Sequence, residues 1–180
     1  MVLCIVMGKA LLITRPVNDP ATKYLYAWSD EVKDLANKKS YAVYDLGRGK
    51  ATRENLESYV NNQNPSFIFV NGHGNSTQIA GHNGQILIDQ SSNLGATILY
   101  ARSCDAARHL GHLLIKKGVA SFIGYSRKFT FGYLADKITK PKSDELASLF
   151  LGPSNLVATT LIKGHTVQEA HRRSLDAMYH

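Results

Sequence analysis

Two short apolar runs, each ending in a side chain capable of acid–base or nucleophilic chemistry, restrict this chain more than any other feature. Phe67-Ile68-Phe69-Val70 leads into Asn71-Gly72-His73-Gly74, and Ala96-Thr97-Ile98-Leu99-Tyr100 leads into Ala101-Arg102-Ser103-Cys104. Each run is a few residues long, rich in β-branched or aromatic side chains, and stopped by glycine or small polar residues. That is the pattern of a strand buried on both faces. Neighbouring strands lie ~4.8 Å apart. If these two run parallel and side by side, His73 and Cys104 emerge together at the carboxyl edge of one sheet, where open α/β sheets bind ligands.

The remaining segments alternate in the same way. Residues 9–15 (KALLITR) read as a first strand, which residues 1–7 could extend or flank as an added edge strand. Asp19-Pro20 is an N-cap followed by proline at the first helical position. The helix it opens is expected to reach Asn37, with Leu25, Trp28, Val32, Leu35 and Ala36 on one face. Residues 41–46 (YAVYDL) form a second strand closed by Gly47, and a helix from Thr52 carries Leu56, Tyr59 and Val60. Between the His73 and Cys104 strands, Gln78-Ile79-Ala80 and Gln85-Ile86-Leu87-Ile88 flank Gly81-His82-Asn83-Gly84. The Asn-Gly pair signals a β-hairpin.

After Cys104 an amphipathic helix (Ala107, Leu110, Leu113, Leu114) is expected to run to Gly118, before a fifth strand at residues 119–125. Residues 126–142 read as a basic, aromatic loop with some strand character. Residues 144–151 read as helix, and residues 156–162 as either helix or strand. Thr166-Val-Gln-Glu169 forms a capping box for a last helix. The sum is a single α/β domain with a mostly parallel sheet of five or six strands, helices on both faces, and a small hairpin insertion after the third strand.

Composition excludes several function classes. The formal charge is +7, but the basic residues are scattered without a stripe of interleaved aromatics, so no nucleic-acid footprint is expected. Apolar runs are too short for a membrane span. Residues 1–7 lack the basic start and cleavage site of a signal peptide. Two cysteines, Cys4 and Cys104, make no disulfide framework, which suits a reducing cytoplasm. His109 and His112 lie i, i+3 apart without a third ligand at metal spacing, so no metal site is expected. Gly47-Arg-Gly-Lys50 fails as a phosphate loop because Tyr44 occupies the first glycine position and Ala51 follows the lysine.

The two strand ends suit acyl transfer. A cysteine that opens a helix faces bare amides and the positive end of the helix dipole, which favours the thiolate. A histidine beside it can hold the proton and pass it to a leaving amine. The glycines around His73 leave the Gly74 amide bare, and with the Cys104 amide it forms a candidate two-donor oxyanion hole. Asp105 is read as a cap for the following helix or as a residue tuning the pocket, and Asp45 as a more distant candidate at the same edge.

An apolar strand ending in His-Gly, a hairpin, and an apolar strand ending in Ser-Cys resemble the caspase-like clan of cysteine peptidases, which includes caspases, metacaspases, legumain, clostripain, gingipain, separase and the CHAT-domain proteins. The short chain, the Asn71-Gly-His-Gly74 turn and the capped terminal helix look most like the gingipain and CHAT side. The resemblance covers residues 67–124. It implies a caspase-like sheet, a His73–Cys104 dyad, an oxyanion hole at Gly74 and Cys104, a polypeptide substrate and no cofactor. Asp105-Ala106-Ala107 stands where many members carry a glycine.

In metacaspases and clostripain the residue two before the nucleophile is acidic and helps hold a basic P1 side chain. Here it is Arg102, which would attract Asp or Glu instead. The bland alternative is that Arg102 points away and pairs with a surface carboxylate. Two other functions stay open at this point. One is a catalytically silent member of the fold acting as a protein-interaction module, alone, as a homo-oligomer or beside a partner domain. The other is an anion-binding domain using residues 72–75.

Overall fold

The computed structural model describes residues 9–179; Cys4 and the suggested extension of the first strand lie outside them. Five parallel strands form the sheet: β1 (Ala10–Arg15), β2 (Ala42–Gly47), β3 (Phe67–Asn71), β6 (Ile98–Arg102) and β7 (Ser121–Gly124), in spatial order β2-β1-β3-β6-β7. A separate antiparallel hairpin, β4 (Gln78–Ala80) with β5 (Ile86–Asp89), joins β3 to β6. The helices are α1 (Pro20–Trp28), α2 (Asp30–Lys38), α3 (Arg53–Gln63), α4 (Leu110–Lys116), α5 (Glu145–Ile162) and α6 (Val167–Tyr179).

Period-two alternation along the buried strands sorts the core into two layers. Leu12, Ile68, Val70, Leu99 and Ala101 face α3 and α4, with Leu56, Val60, Leu110 and Leu114 packed on them. Leu11, Ile13, Phe67, Phe69 and Tyr100 face the other side, against Val32 and Ala36 of α2 and Val157 and Ala158 of α5. The hairpin does the work of a crossover helix. Ile79, Leu87 and Ile88 are fully buried in the first layer, so the sheet face is covered without a helix there. Asn83 and Gly84 both take positive φ at its tip, as the Asn-Gly pair requires.

Three expectations are corrected and one open reading is resolved. The single helix expected from Pro20 to Asn37 is two, broken at Ser29. Two carbonyls that would continue it are claimed by side chains: Tyr26 O accepts from Arg15 and Ser29, and Trp28 O from Asn155, while Leu25 O keeps its helical bond from Ser29 N (3.1 Å) and accepts from Arg102 as well. The segments at residues 144–151 and 156–162 are one helix, α5, capped by Asp144 and running through Pro153. The loop at residues 126–142 contains two 3₁₀ turns and no strand. Finally, α4 starts at Leu110 rather than at the cysteine, and its N-cap position is His109, not Asp105. Asp105 adopts φ 56°, a left-handed conformation incompatible with a helical start.

One described helix, α5, is long and apolar enough by composition to cross a bilayer. Ala147, Leu151, Val157, Ala158 and Leu161 are buried against the rest of the domain, as expected of a core helix.

Ile68 sits fully buried at the centre of the sheet, between β1 and β6. Ile68→Ala is expected to lower the unfolding free energy by about 2–5 kcal/mol, seen as a lower urea midpoint with an unchanged slope.

Candidate functional site

Strands β3 and β6 pair directly and in parallel, with Asn71 opposite Arg102. The chain therefore leaves both strands at the same edge and the same height. His73 and Cys104 line one small cleft there, together with Ala21, Leu25, Gly72, Arg102, Ser103, Phe129 and Phe131. Cys104 is half-buried, and its thiol donates to Phe129 O at 3.8 Å. The His73 side chain is exposed by about half.

Gly74 forms an antiparallel bridge with Ile79. The two hydrogen bonds of that bridge run from Ala80 N to His73 O (2.8 Å) and from Asn75 N to Gln78 O (3.0 Å). Gly74 is thus the non-bonded member of the pair, and its N–H has no acceptor among the described residues. The Cys104 N–H likewise has none, whereas the next amide, Asp105 N, donates to Arg127 O at 3.1 Å. Both amides named as oxyanion donors are therefore uncommitted.

The His73 turn allows no side chain on either flank. A Cβ on Gly72, whose φ is 153°, would overlap the Ala80 carbonyl; one on Gly74 would overlap the Ser103 hydroxyl. Ser103 Oγ is itself buried without a hydrogen-bond partner among the described residues. Asp105, read above as a cap or as a residue tuning the pocket, is half-buried and is not among the residues that line the cleft. Asp45 is committed elsewhere, in an ion pair with the buried Arg15 that Lys33 joins. The helix dipole expected behind Cys104 is missing, because residues 103–109 form consecutive turns before α4 begins.

Arg102 is fully buried, and its hydrogen bonds go to neutral groups rather than to the surface carboxylate of the alternative reading. Its Nε donates to Asn71 Oδ1 (2.8 Å), Nη1 to Ser154 Oγ (3.0 Å) and Asn155 Oδ1 (2.8 Å), and Nη2 to Leu25 O (3.1 Å). The guanidinium also lies over the Phe69 ring, 5.0 Å from its centroid. These partners are neutral side chains and a carbonyl in the last turn of α1, where the helix dipole favours a cation. Burial pushes the guanidinium pKa below its ordinary value. Of its five N–H donors, four are engaged by these contacts.

Sequence reasoning missed a carboxylate. Asp19, read only as a helix cap, is both the cap and a direct partner of His73. Its Oδ1 accepts from Thr22 N at 2.8 Å, and its Oδ2 contacts His73 Nε2. The loop bearing it is fastened to the hairpin by Asn18, whose side chain bonds Gly81 O (2.9 Å) and Asn83 N (2.9 Å). No local signal reveals this, since the partners are 54 residues apart. Partial burial pushes the Asp19 carboxyl up, but the Thr22 amide and the His73 ring outweigh it and hold the pKa below the usual carboxylate range.

Among the described residues no three His, Cys, Asp or Glu side chains gather as a metal site. The chain matches no known family model and no curated protein.

Two outcomes follow from this geometry. Gly74→Ala forces Ser103 and the His73 turn apart and should destabilise the fold by about 1–3 kcal/mol, measured by chemical denaturation. Asp19 has a folded pKa below its unfolded value, so the unfolded state binds more protons as pH falls through that window. Its contribution to stability is therefore complete above the ordinary carboxylate value of about 3.9 and is lost at lower pH. Melting curves of the wild type and Asp19→Asn should differ near neutrality and converge as the carboxylate protonates.

Proposed function

We propose that the chain is a caspase-like cysteine peptidase, with Cys104 as nucleophile and His73 as general acid and base. The observation that carries this reading is the common cleft between two adjacent parallel strand ends, bordered by two uncommitted amides. In the first half-reaction the Cys104 thiol proton passes to His73 and the sulfur attacks the scissile carbonyl. The resulting oxyanion is received by the Gly74 and Cys104 amides; each such donor is worth roughly 2.7–4 kcal/mol in acyl-transfer enzymes. The C–N bond then breaks as His73 delivers its proton to the departing amine, leaving a thioester. In the second half-reaction His73 takes a proton from water, the hydroxyl adds to the thioester carbonyl, and the C–S bond breaks. The released thiolate recovers the proton from His73. No cofactor enters this scheme.

The specificity that fits best is an acidic P1 residue. Arg102 lines the cleft with a buried charge, lacks a carboxylate among its hydrogen-bond partners, and retains one N–H beyond its four engaged donors. Arg127 and Lys128 are exposed at the start of the segment that supplies Phe129 and Phe131 to the cleft. An anionic side chain is favoured by each of these, and a cationic one is repelled. A silent interaction module on the same fold is the second reading, favoured by the absence of a helix start at the nucleophile and by the thiol's contact with Phe129 O. We place the protein's action in the cytoplasm, on polypeptides.

Paired fluorogenic peptides differing only in P1 provide the test. The wild type should cleave the P1 Asp peptide at least about tenfold faster than the P1 Arg peptide, a gap of roughly 1.4 kcal/mol, and Cys104→Ala should abolish both. Faster cleavage after Arg would overturn the specificity. Hydrolysis equal in wild type and Cys104→Ala would overturn the peptidase reading in favour of the silent module.

A further inference from the structure

We infer that Arg48 and Lys50 form a subsite for an acidic side chain on the leaving-group side of the cleavage point, about three residues beyond it. The inference rests on the dyad reading above and extends it to the far end of the sheet, where the Gly47-Arg-Gly-Lys50 stretch lacks the spacing of a phosphate loop.

Strand order fixes the direction in which a peptide crosses the carboxyl edge. Cys104, which follows β6, keeps the acyl half of the substrate, whereas His73, which follows β3, protonates the departing amine. The order along the sheet is β2-β1-β3-β6-β7. The acyl half therefore extends toward β7, and the amine half passes over β1 toward β2. Two strand spacings separate β3 from β2, roughly 10 Å, which an extended chain covers in about three residues. Arg48–Lys50 is the 3₁₀ turn that directly follows β2, so both cations stand where the amine half arrives.

Arg48 and Lys50 are exposed, and neither forms an ion pair among the described residues. Two acids of the surrounding elements are already taken, since Asp45 of β2 and Asp30 of α2 both pair with Arg15 and Lys33. The Arg48 guanidinium lies over the Tyr26 ring of α1, 5.3 Å from its centroid. The preceding residue of α1, Leu25, lines the cleft, so one helix borders both places. The Arg48 backbone is left-handed, φ 53°, a conformation that suits glycine. A larger residue persists there only where its surroundings hold it, and such positions gather at binding sites. The hold is visible: Ala51 N donates to Arg48 O (3.1 Å), Thr52 N and Asn55 Nδ2 donate to Lys50 O (2.9 and 3.0 Å), and His82 N of the hairpin donates to Ala51 O (2.8 Å). A fixed turn thus presents two charges that no neighbouring carboxylate answers.

Three quenched fluorogenic peptides share a P1 Asp and carry Glu, Gln or Lys at the third residue after it. The intact wild type should rank them Glu over Gln over Lys in kcat/KM, with about a threefold step from Gln to Glu, the size of an exposed charge contact. That step should vanish near 1 M salt, where the screening length is about 3 Å. Arg48→Glu with Lys50→Glu should reverse the ranking, which a purely structural turn cannot do. Arg48→Gly with Lys50→Gln, matched to the φ of 53°, should melt like the wild type and lose the Gln-to-Glu step. Lys116→Glu with Lys117→Glu makes the same charge change at the end of α4 and should keep the wild-type ranking; a reversal there assigns the effect to net charge and overturns the subsite. Equal rates for Glu and Gln in the wild type also overturn it, while cleavage of the Gln peptide leaves the peptidase reading standing. If none of the three is cleaved, the peptidase reading fails and the subsite falls with it.

Discussion

Arg102 holds the site together. It closes β6, reaches across to Asn71 at the end of β3, takes a carbonyl from the last turn of α1, and engages Ser154 and Asn155 in the middle of α5. A buried charge with only neutral partners is costly unless each donor is satisfied. The elements around it are therefore constrained to present their oxygens at one point. That requirement fixes how the end of α1 and the middle of α5 lie against the strand ends beneath the cleft.

Arg15 repeats the device on the far side of β3. It is also buried, bonds the Tyr26 carbonyl, and is balanced by Asp30 and Asp45. The contrast is informative. Arg15 meets two carboxylates and a lysine in a closed network, while Arg102 has carbonyls, amides and hydroxyls only. Two guanidiniums at the carboxyl ends of β1 and β6, the strands on either side of β3, thus differ in compensation, and the less compensated one borders the groove.

How much of this was legible from residue order follows from the range of each interaction. The strands, the hairpin and the capped helices rest on local signals, and they appear with boundaries shifted by one or two residues at most sites. The pairing of β3 with β6 came from the tendency of successive strands to neighbour, and the register Asn71↔Arg102 bears it out. The break at Ser29 was not legible, because the donors that capture the Tyr26 and Trp28 carbonyls include Arg15 and Asn155, distant along the chain. The helix expected at Cys104 failed for a different reason. Apolar spacing from Ala107 onward is satisfied by turns whose amides bond Arg127 O and Tyr125 O, so burial was achieved without helical backbone. Asp19 was visible as a cap and invisible as a partner of His73, since a single carboxylate served two purposes.

The glycines on either side of His73 have an implication for how such a turn can drift over generations. Each abuts backbone or a buried hydroxyl so closely that even a methyl group is refused. The imidazole consequently stands between two positions where any side chain carries a steric cost. Inheritance can delete the histidine outright, leaving the architecture untouched, far more readily than it can relocate it. A chain without this histidine would differ here by one letter and would keep the same silhouette.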